Sequence, residues 1–303
     1  MPQQRPLWDG YCADPFVIRA QDGRFVMYGT SPERPGGRAF QTLVSDDLDV
    51  WCPAGGALVI PADAPAGTEW WAPEVAYAGG RYWMYYSQGM GDQGHQIRVA
   101  SSVEPTGPFT EAGPPLTEDL PFAIDPSPFQ DVDGTWWLFY ATDLVEGARP
   151  GTVIAVQRLR TMTELAGEPR IILRASADWQ LYARDRQLYG AQHDWHTLEG
   201  PAVVRHGDRY WLLYSGGNWQ TPRYGVAAAS AASVEGQWTE DAAIGPFITS
   251  QSTGLIGPGH CSIVSAVGGG HHLFLHAWDA QRQRRRPHRL TLQITGGPPR
   301  VAP

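Results

Sequence analysis

Five times along its 303 residues the chain repeats one local pattern, and that repetition limits the folds open to it more than any other feature. Each copy opens on a turn glycine and runs through aromatic and aliphatic residues to a Tyr or a close substitute. The copies are GRFVMYG from Gly23, GRYWMYY from Gly80, GTWWLFY from Gly134, GDRYWLLY from Gly207 and GGHHLFLH from Gly269. Each follows a short apolar segment: PFVIRAQD, EVAYAG, SPFQDVD, AVVRHGD and SIVSAVGG. An apolar run, a glycine turn and an aromatic run make a β-hairpin. Further β-rich stretches (FQTLVS, HQIRVASS, TVIAVQRL, YGVAAAS and HRLTLQI) supply a third strand, and segments such as PRIILR from Pro169 a fourth.

Five such units of about sixty residues fill positions 1–303, which leaves no room for a second domain. Helical periodicity is nearly absent, and Ser230 to Val234 forms a short turn at most. Repeated four-stranded sheets without helices predict an all-β fold, a single-domain five-bladed β-propeller. Gly and Pro, 35 and 26 residues, are spread along the chain as turns rather than gathered in one tract. Aromatic residues at 11 %, 13 of them Trp, supply a core no disordered polymer has.

Charge removes whole classes of function. The net charge is −8 and every one of the 23 basic residues is Arg. Without Lys, Schiff-base chemistry and a Walker-type phosphate lysine are excluded. An acidic chain lacks the clustered basic footprint of a nucleic-acid binder, and the five Arg between Arg282 and Arg289 read as a solvated strand end. No run is long enough to span a membrane. The first residues hold no apolar signal segment, so a cytoplasmic location is expected, or a secreted one only if a leader has been removed. Cys12, Cys52 and Cys261 are odd in number and lack metal spacing, which predicts reduced thiols.

The residues that open the first strand of each unit converge on the axis of a propeller. They read as Asp14 (CADPF), Glu74 (WAPEV), Asp125 (AIDPSPF), Glu199 (LEGPAV) and His260 (GPGHCSIV), at spacings of 60, 51, 74 and 61 residues. Four carboxylates and an imidazole in one slot are costly to bury without a purpose. Crowded carboxylates push one another's pKa values apart, so one stays protonated while another is ionised. Inverting glycoside hydrolysis needs that division: a carboxylate activates water while an acid opposite protonates the leaving oxygen.

The ordered set ADPF, WAPEV, IDPSPF with a following DG, EGP and GPGH resembles glycoside hydrolase family 43, over essentially the whole chain. The resemblance implies a five-bladed propeller cleaving arabinose- and xylose-containing polysaccharides with inversion. It implies Asp14 as general base, Glu199 as general acid, and Asp125 as the carboxylate that raises and orients the acid, with Glu74 in support. It also implies that His260 faces an axial cation, frequently calcium, held mostly through water, which modulates the site and is not required for the chemistry.

Sugar C–H faces pack on aromatic rings. Trp71 matches a family tryptophan of the sugar pocket, while Trp70, Trp195 and Trp219 flank the expected funnel and Phe16 follows the base. Arg286 falls where some relatives direct an arginine at the substrate, with Arg284 and Arg285 adjoining it. The tryptophans of WWLFY and RYWLLY read as core between blades. The expected activity is that of an exo-acting α-L-arabinofuranosidase on arabino-oligosaccharides, since a chain with no leader meets short imported substrates. β-Xylosidase and endo-α-1,5-L-arabinanase are the alternatives within the family. A non-catalytic carbohydrate-binding propeller is the alternative outside it, one that need not keep three acids together. Neither nucleic acid nor membrane is expected as a partner.

Overall fold

The computed structural model describes residues 5–240, 245–266 and 270–302. Gly269, which opens the fifth repeat, lies outside them. Three four-stranded antiparallel sheets form in chain order. The first holds β1 (Ala13–Arg19), β2 (Phe25–Thr30), β3 (Arg38–Ser45) and β4 (Cys52–Val59). The second holds β5 (Glu69–Ala78), β6 (Arg81–Met90), β7 (Gln93–Ser102) and β8 (Thr110–Glu111). A larger, nine-stranded sheet takes β9 (Ala123–Gln130), β10 (Trp136–Leu144), β11 (Gly151–Thr161), β12 (Glu164–Leu173), β13 (Leu181–Leu188), β14 (Ala191–His206), β15 (Arg209–Gly216), β16 (Gly225–Ala231) and β17 (Thr239–Glu240). The last sheet is β18 (Ile256–Ser265), β19 (His271–Trp278), β20 (Arg285–Gln293) and β21 (Arg300–Val301). The one α-helix among the described residues, α1 (Ser250–Thr253), is a single turn.

The chain is all-β and its arrangement is consistent with a β-propeller, but the expected separate sheets are not all present. Within the nine-stranded sheet β9–β12 form one meander and β14–β17 another. A short parallel pairing joins them, Gly151 with His196 and Thr152 with Thr197. Strand β13 is an addition to the repeat, paired with the first half of the long β14. The first strands pack side by side in order, β1 on β5, β5 on β9, β9 on β14, β14 on β18 and β18 back on β1.

The aromatic runs are continuous rather than alternating because both faces of each sheet are covered. Successive side chains point to opposite faces, so one run feeds two cores. In β10, Leu138 and Tyr140 pack toward Tyr85 and Val99, while Trp137 and Phe139 pack toward Leu212 and Tyr214. In β15, Trp211 and Leu213 face Leu273 and Leu275 instead. Trp137 and Trp211 are thus core, as the sequence predicts. Two more clusters, around Tyr28 and Met84 and around Met27 and Phe274, fill the remaining gaps. Among the described residues no helix is long and apolar enough to cross a membrane.

Candidate active site

Each first strand carries a β-bulge, and at each bulge one residue takes a left-handed backbone. These are Asp14 (φ 51°), Ala72 (47°), Asp125 (57°), Gly200 (56°) and His260 (49°). For a residue other than glycine that conformation costs about 1–3 kcal/mol, and such strain gathers at functional sites. The equivalent slot therefore holds Asp14, Ala72, Asp125, Gly200 and His260, not the four carboxylates read from the sequence. Glu199 precedes its bulge residue by one position and Glu74 follows its own by two. At position 200 glycine takes this backbone without strain, and a Cβ there would press on the His260 ring at 3.0 Å.

The second strands hold these bulges in place. Oγ1 of Thr30 accepts the Ala72 amide at 2.8 Å, Oγ of Ser87 that of Asp125 at 2.9 Å, and Oγ of Ser215 that of His260 at 2.7 Å. Nδ1 of His276 accepts the Asp14 amide at 3.1 Å. The corresponding residue of β10 is Ala141, opposite Ile124, and it has no acceptor to offer. The Gly200 amide donates instead to Oδ2 of Asp125, at 2.9 Å.

Asp14, Asp125, Glu199 and His260 all line one cavity of about 670 Å³. Contacts link them in a closed loop. Tyr224 donates to Oε1 of Glu199 at 2.6 Å, and its ring stacks on His276 at 5.9 Å. Nδ1 of His260 lies 3.4 Å from Oδ1 of Asp14 and 3.8 Å from Oδ2 of Asp125. Tyr224, the first residue of the YGVAAAS stretch and just ahead of β16, is a site residue that the strand-opening pattern does not reveal; the neighbouring Gly259 makes room for its ring, which a Cβ would meet at 2.0 Å.

Burial would raise Asp14, but the Arg285 guanidinium 3.3 Å away and His260 outweigh it and hold the carboxyl well below the usual range. Burial and the charge of Asp125 push Glu199 up, against the Tyr224 hydrogen bond. Burial and the charge of Asp14 push Asp125 up as well. Burial lowers His276 to about 4, so its ring is neutral. Its Nδ1 lies 3.2 Å from Oδ1 of Asp14 as well as 3.1 Å from the Asp14 amide, and its Nε2 is buried without a partner among the described residues.

The other expected contacts divide. Trp71 lines the cavity and stacks on His95 at 3.7 Å, Trp70 lines it beneath Arg34 at 5.2 Å, and Trp219 lines it beneath Arg285 at 4.4 Å. Trp195 does not reach it, being 1 % exposed. Phe16 packs against the core cluster around Tyr28. Glu74 is buried beside Ser127, away from the cavity. Arg286 points to Asp9 and Asp279 at 3.3 and 3.7 Å. Its neighbour Arg285 lies on the opposite face of β20 and enters the cavity, where it bonds Tyr11 at 3.0 Å. The remaining basic cluster is not one patch, since Arg289 pairs with Asp49 at 2.6 Å.

The donor set does not fit a cation chelated by protein groups. Among the described residues no three His, Cys, Asp or Glu side chains are arranged to hold a metal ion. Nδ1 of His260 faces two carboxylates instead.

The family model of glycosyl hydrolases family 43 matches residues 3–293. The chain belongs to that family. This family 43 glycoside hydrolase is 25 % identical over 272 residues to an extracellular exo-α-(1→5)-L-arabinofuranosidase of Streptomyces avermitilis, covering 85 % of the chain but 52 % of that protein. The chain thus spans about half the length of that relative. A xylosidase/arabinosidase of Bacteroides ovatus is 26 % identical over 244 residues, 69 % of this chain and 74 % of that protein. Among solved structures, a thermostable family-43 glycoside hydrolase superposes with a TM-score of 0.83 at 28 % identity, over 99 % of this chain and 96 % of that one.

Proposed function

We propose that this family 43 glycosidase is an exo-acting α-L-arabinofuranosidase that works with inversion on arabino-oligosaccharides. The observation that carries the chemistry is the meeting of Asp14, Asp125 and Glu199 in one cavity with unlike neighbours. Asp14 has the Arg285 guanidinium 3.3 Å away, which favours its ionised form, while burial and the charge of Asp125 favour the protonated form of Glu199. Asp14 takes a proton from a water whose oxygen bonds to the anomeric carbon. As the glycosidic C–O bond breaks, Glu199 gives its proton to the leaving oxygen, and exchange with solvent resets both groups. Asp125 raises Glu199 by its charge and orients it through the Gly200 amide. Trp71 and Trp219 line the cavity as aromatic walls for the sugar, and Arg285 keeps Asp14 ionised.

Two further observations support the finer reading. The relative from Streptomyces is an exo-acting arabinofuranosidase. An Arg186–Asp92 ion pair at 3.0 Å ties the added strand β13 to the turn after β6, and both residues line the cavity. The ring of first strands reads as five blades, two of them fused in the nine-stranded sheet. A calcium held by His260 through water belongs to the same proposal and carries no step. β-Xylosidase is the competing reading, supported by the Bacteroides relative named for both sugars.

Release of 4-nitrophenol from the α-L-arabinofuranoside and the β-D-xyloside tests the proposal. The arabinoside is expected to be the better substrate, and Glu199→Ala to lower turnover of an arabino-oligosaccharide by about 10²–10⁴-fold. Activity indifferent to that substitution removes the acid assignment. Proton NMR of the first product should show the inverted anomer.

A further inference from the structure

The unexpected parallel pairing builds one wall of the cavity. Thr152 of β11 pairs with Thr197 of β14, and Asp143 of β10 pairs with Thr152 on its other side. Asp143, Thr152 and Thr197 thus stand in a row across three neighbouring strands, and all three line the cavity. With strands about 4.8 Å apart the row is roughly 10 Å long. Thr197 precedes Glu199 by two residues on the same face of β14, about 6.6 Å along the strand, a separation on the scale of one sugar residue.

The groups on this wall are held in place and only partly satisfied. Asp143 accepts Oγ1 of Thr152 at 3.2 Å on one oxygen and the Tyr189 hydroxyl at 2.8 Å on the other. A carboxylate has about four acceptor sites, so two remain for a ligand. Arg186 lines the same cavity, with its guanidinium over the Tyr182 and Trp195 rings at 5.1 and 5.7 Å and, among the described residues, only Asp92 as its ion-pair partner. The proposed hydrolysis uses none of these groups. Acceptor, hydroxyls and donor side by side match the neighbouring hydroxyls of a sugar ring, and a flat aromatic leaving group has none to offer them.

We propose that Asp143, Thr152, Thr197 and Arg186 form a subsite for the leaving side of the substrate, where they bind the hydroxyls of a second sugar residue. The assignment of side rests on the reading of Glu199 as the acid, because the acid stands beside the leaving oxygen.

The test compares kcat/KM for α-1,5-arabinobiose with kcat/KM for 4-nitrophenyl α-L-arabinofuranoside, and xylobiose with the nitrophenyl β-D-xyloside. Asp143→Ala is expected to lower the disaccharide-to-aryl ratio at least tenfold, and the nearly isosteric Thr197→Val about threefold. Misfolding would lower both substrates together, so the ratio isolates the subsite, and Thr197→Val keeps the test open if Asp143→Ala does not fold. A wild type that cleaves both substrates, with the ratio within twofold of its own in both variants, overturns the subsite alone. A wild type that cleaves none of these substrates overturns the catalytic reading on which the side was assigned.

Discussion

The Gly200 amide donates to Oδ2 of Asp125 at 2.9 Å, so the residue beside Glu199 is hydrogen-bonded to the carboxylate that repels it. Ala141 makes this possible by offering no acceptor where the other second strands carry Thr30, Ser87, Ser215 and His276. Asp125 thereby fixes the position of Glu199 and raises it in a single contact.

That contact has a signed consequence for pH dependence. A general acid works while protonated, so activity falls as pH rises through its pKa. Asp125→Asn removes a charge that raises Glu199, and the alkaline limb of kcat/KM is expected to move to lower pH by about one unit, equivalent to roughly 1.4 kcal/mol. An alkaline limb that stays in place sinks the coupling.

Tyr224→Phe is expected to move the same limb the other way. The phenol hydrogen bond lowers Glu199, while the ring that stacks on His276 is kept. Opposite displacements in these two variants, read from pH–rate profiles, would identify Glu199 as the titrating acid. Parallel displacements would assign the limb to another group.

The acidic limb belongs to Asp14 in this scheme. Arg285→Met keeps the length of the side chain but removes the cation that holds Asp14 down. Asp14 then protonates at higher pH, and the acidic limb is expected to rise by about one unit or more. The substitution also strips the guanidinium from the Trp219 face, so KM should increase. A change in KM with an unmoved limb would leave Arg285 only a binding role.

Glu74 offers a test on stability instead of rate. Burial holds its carboxyl well above the ordinary range, with Asp125 adding to the shift and Ser127 opposing it. The folded state keeps a proton that the unfolded chain gives up above about pH 4.3, so this residue costs increasing stability as pH rises toward its folded pKa. Glu74→Gln cannot ionise, and its melting temperature should gain on wild type between about pH 5 and pH 8. A difference that shrinks over that range would show that the buried carboxyl is not protonated.

Much of the scaffold could be read from the residues because the aromatic runs report burial on both faces. The repeat also puts Asp14, Asp125, Glu199 and His260 at the opening of their strands, and the structure brings all four to one cavity. Other features depend on pairings that no local segment encodes. The bulge in β5 is set by its register with β6, which puts Ala72 rather than Glu74 in the slot. One residue of register in β20 decides between Arg285 and Arg286, because neighbours in a strand face opposite ways. Tyr224 reaches Glu199 from the head of a third strand, and the β11–β14 pairing joins residues more than forty positions apart. Trp195, deep in the core, is indistinguishable by composition from Trp219 in the cavity wall.

The ring closes where β18 meets β1, and the seam is sewn by backbone bonds from Leu7 to Pro287 and from Cys12 to Arg285. Asp14 stands on one side of that seam, while His276 and Arg285 stand on the other. A ribosome delivers the first side some 260 residues ahead of the second. In the proposed mechanism Asp14 therefore lacks the cation that holds it ionised until the sheet of β18–β21 has docked against β1.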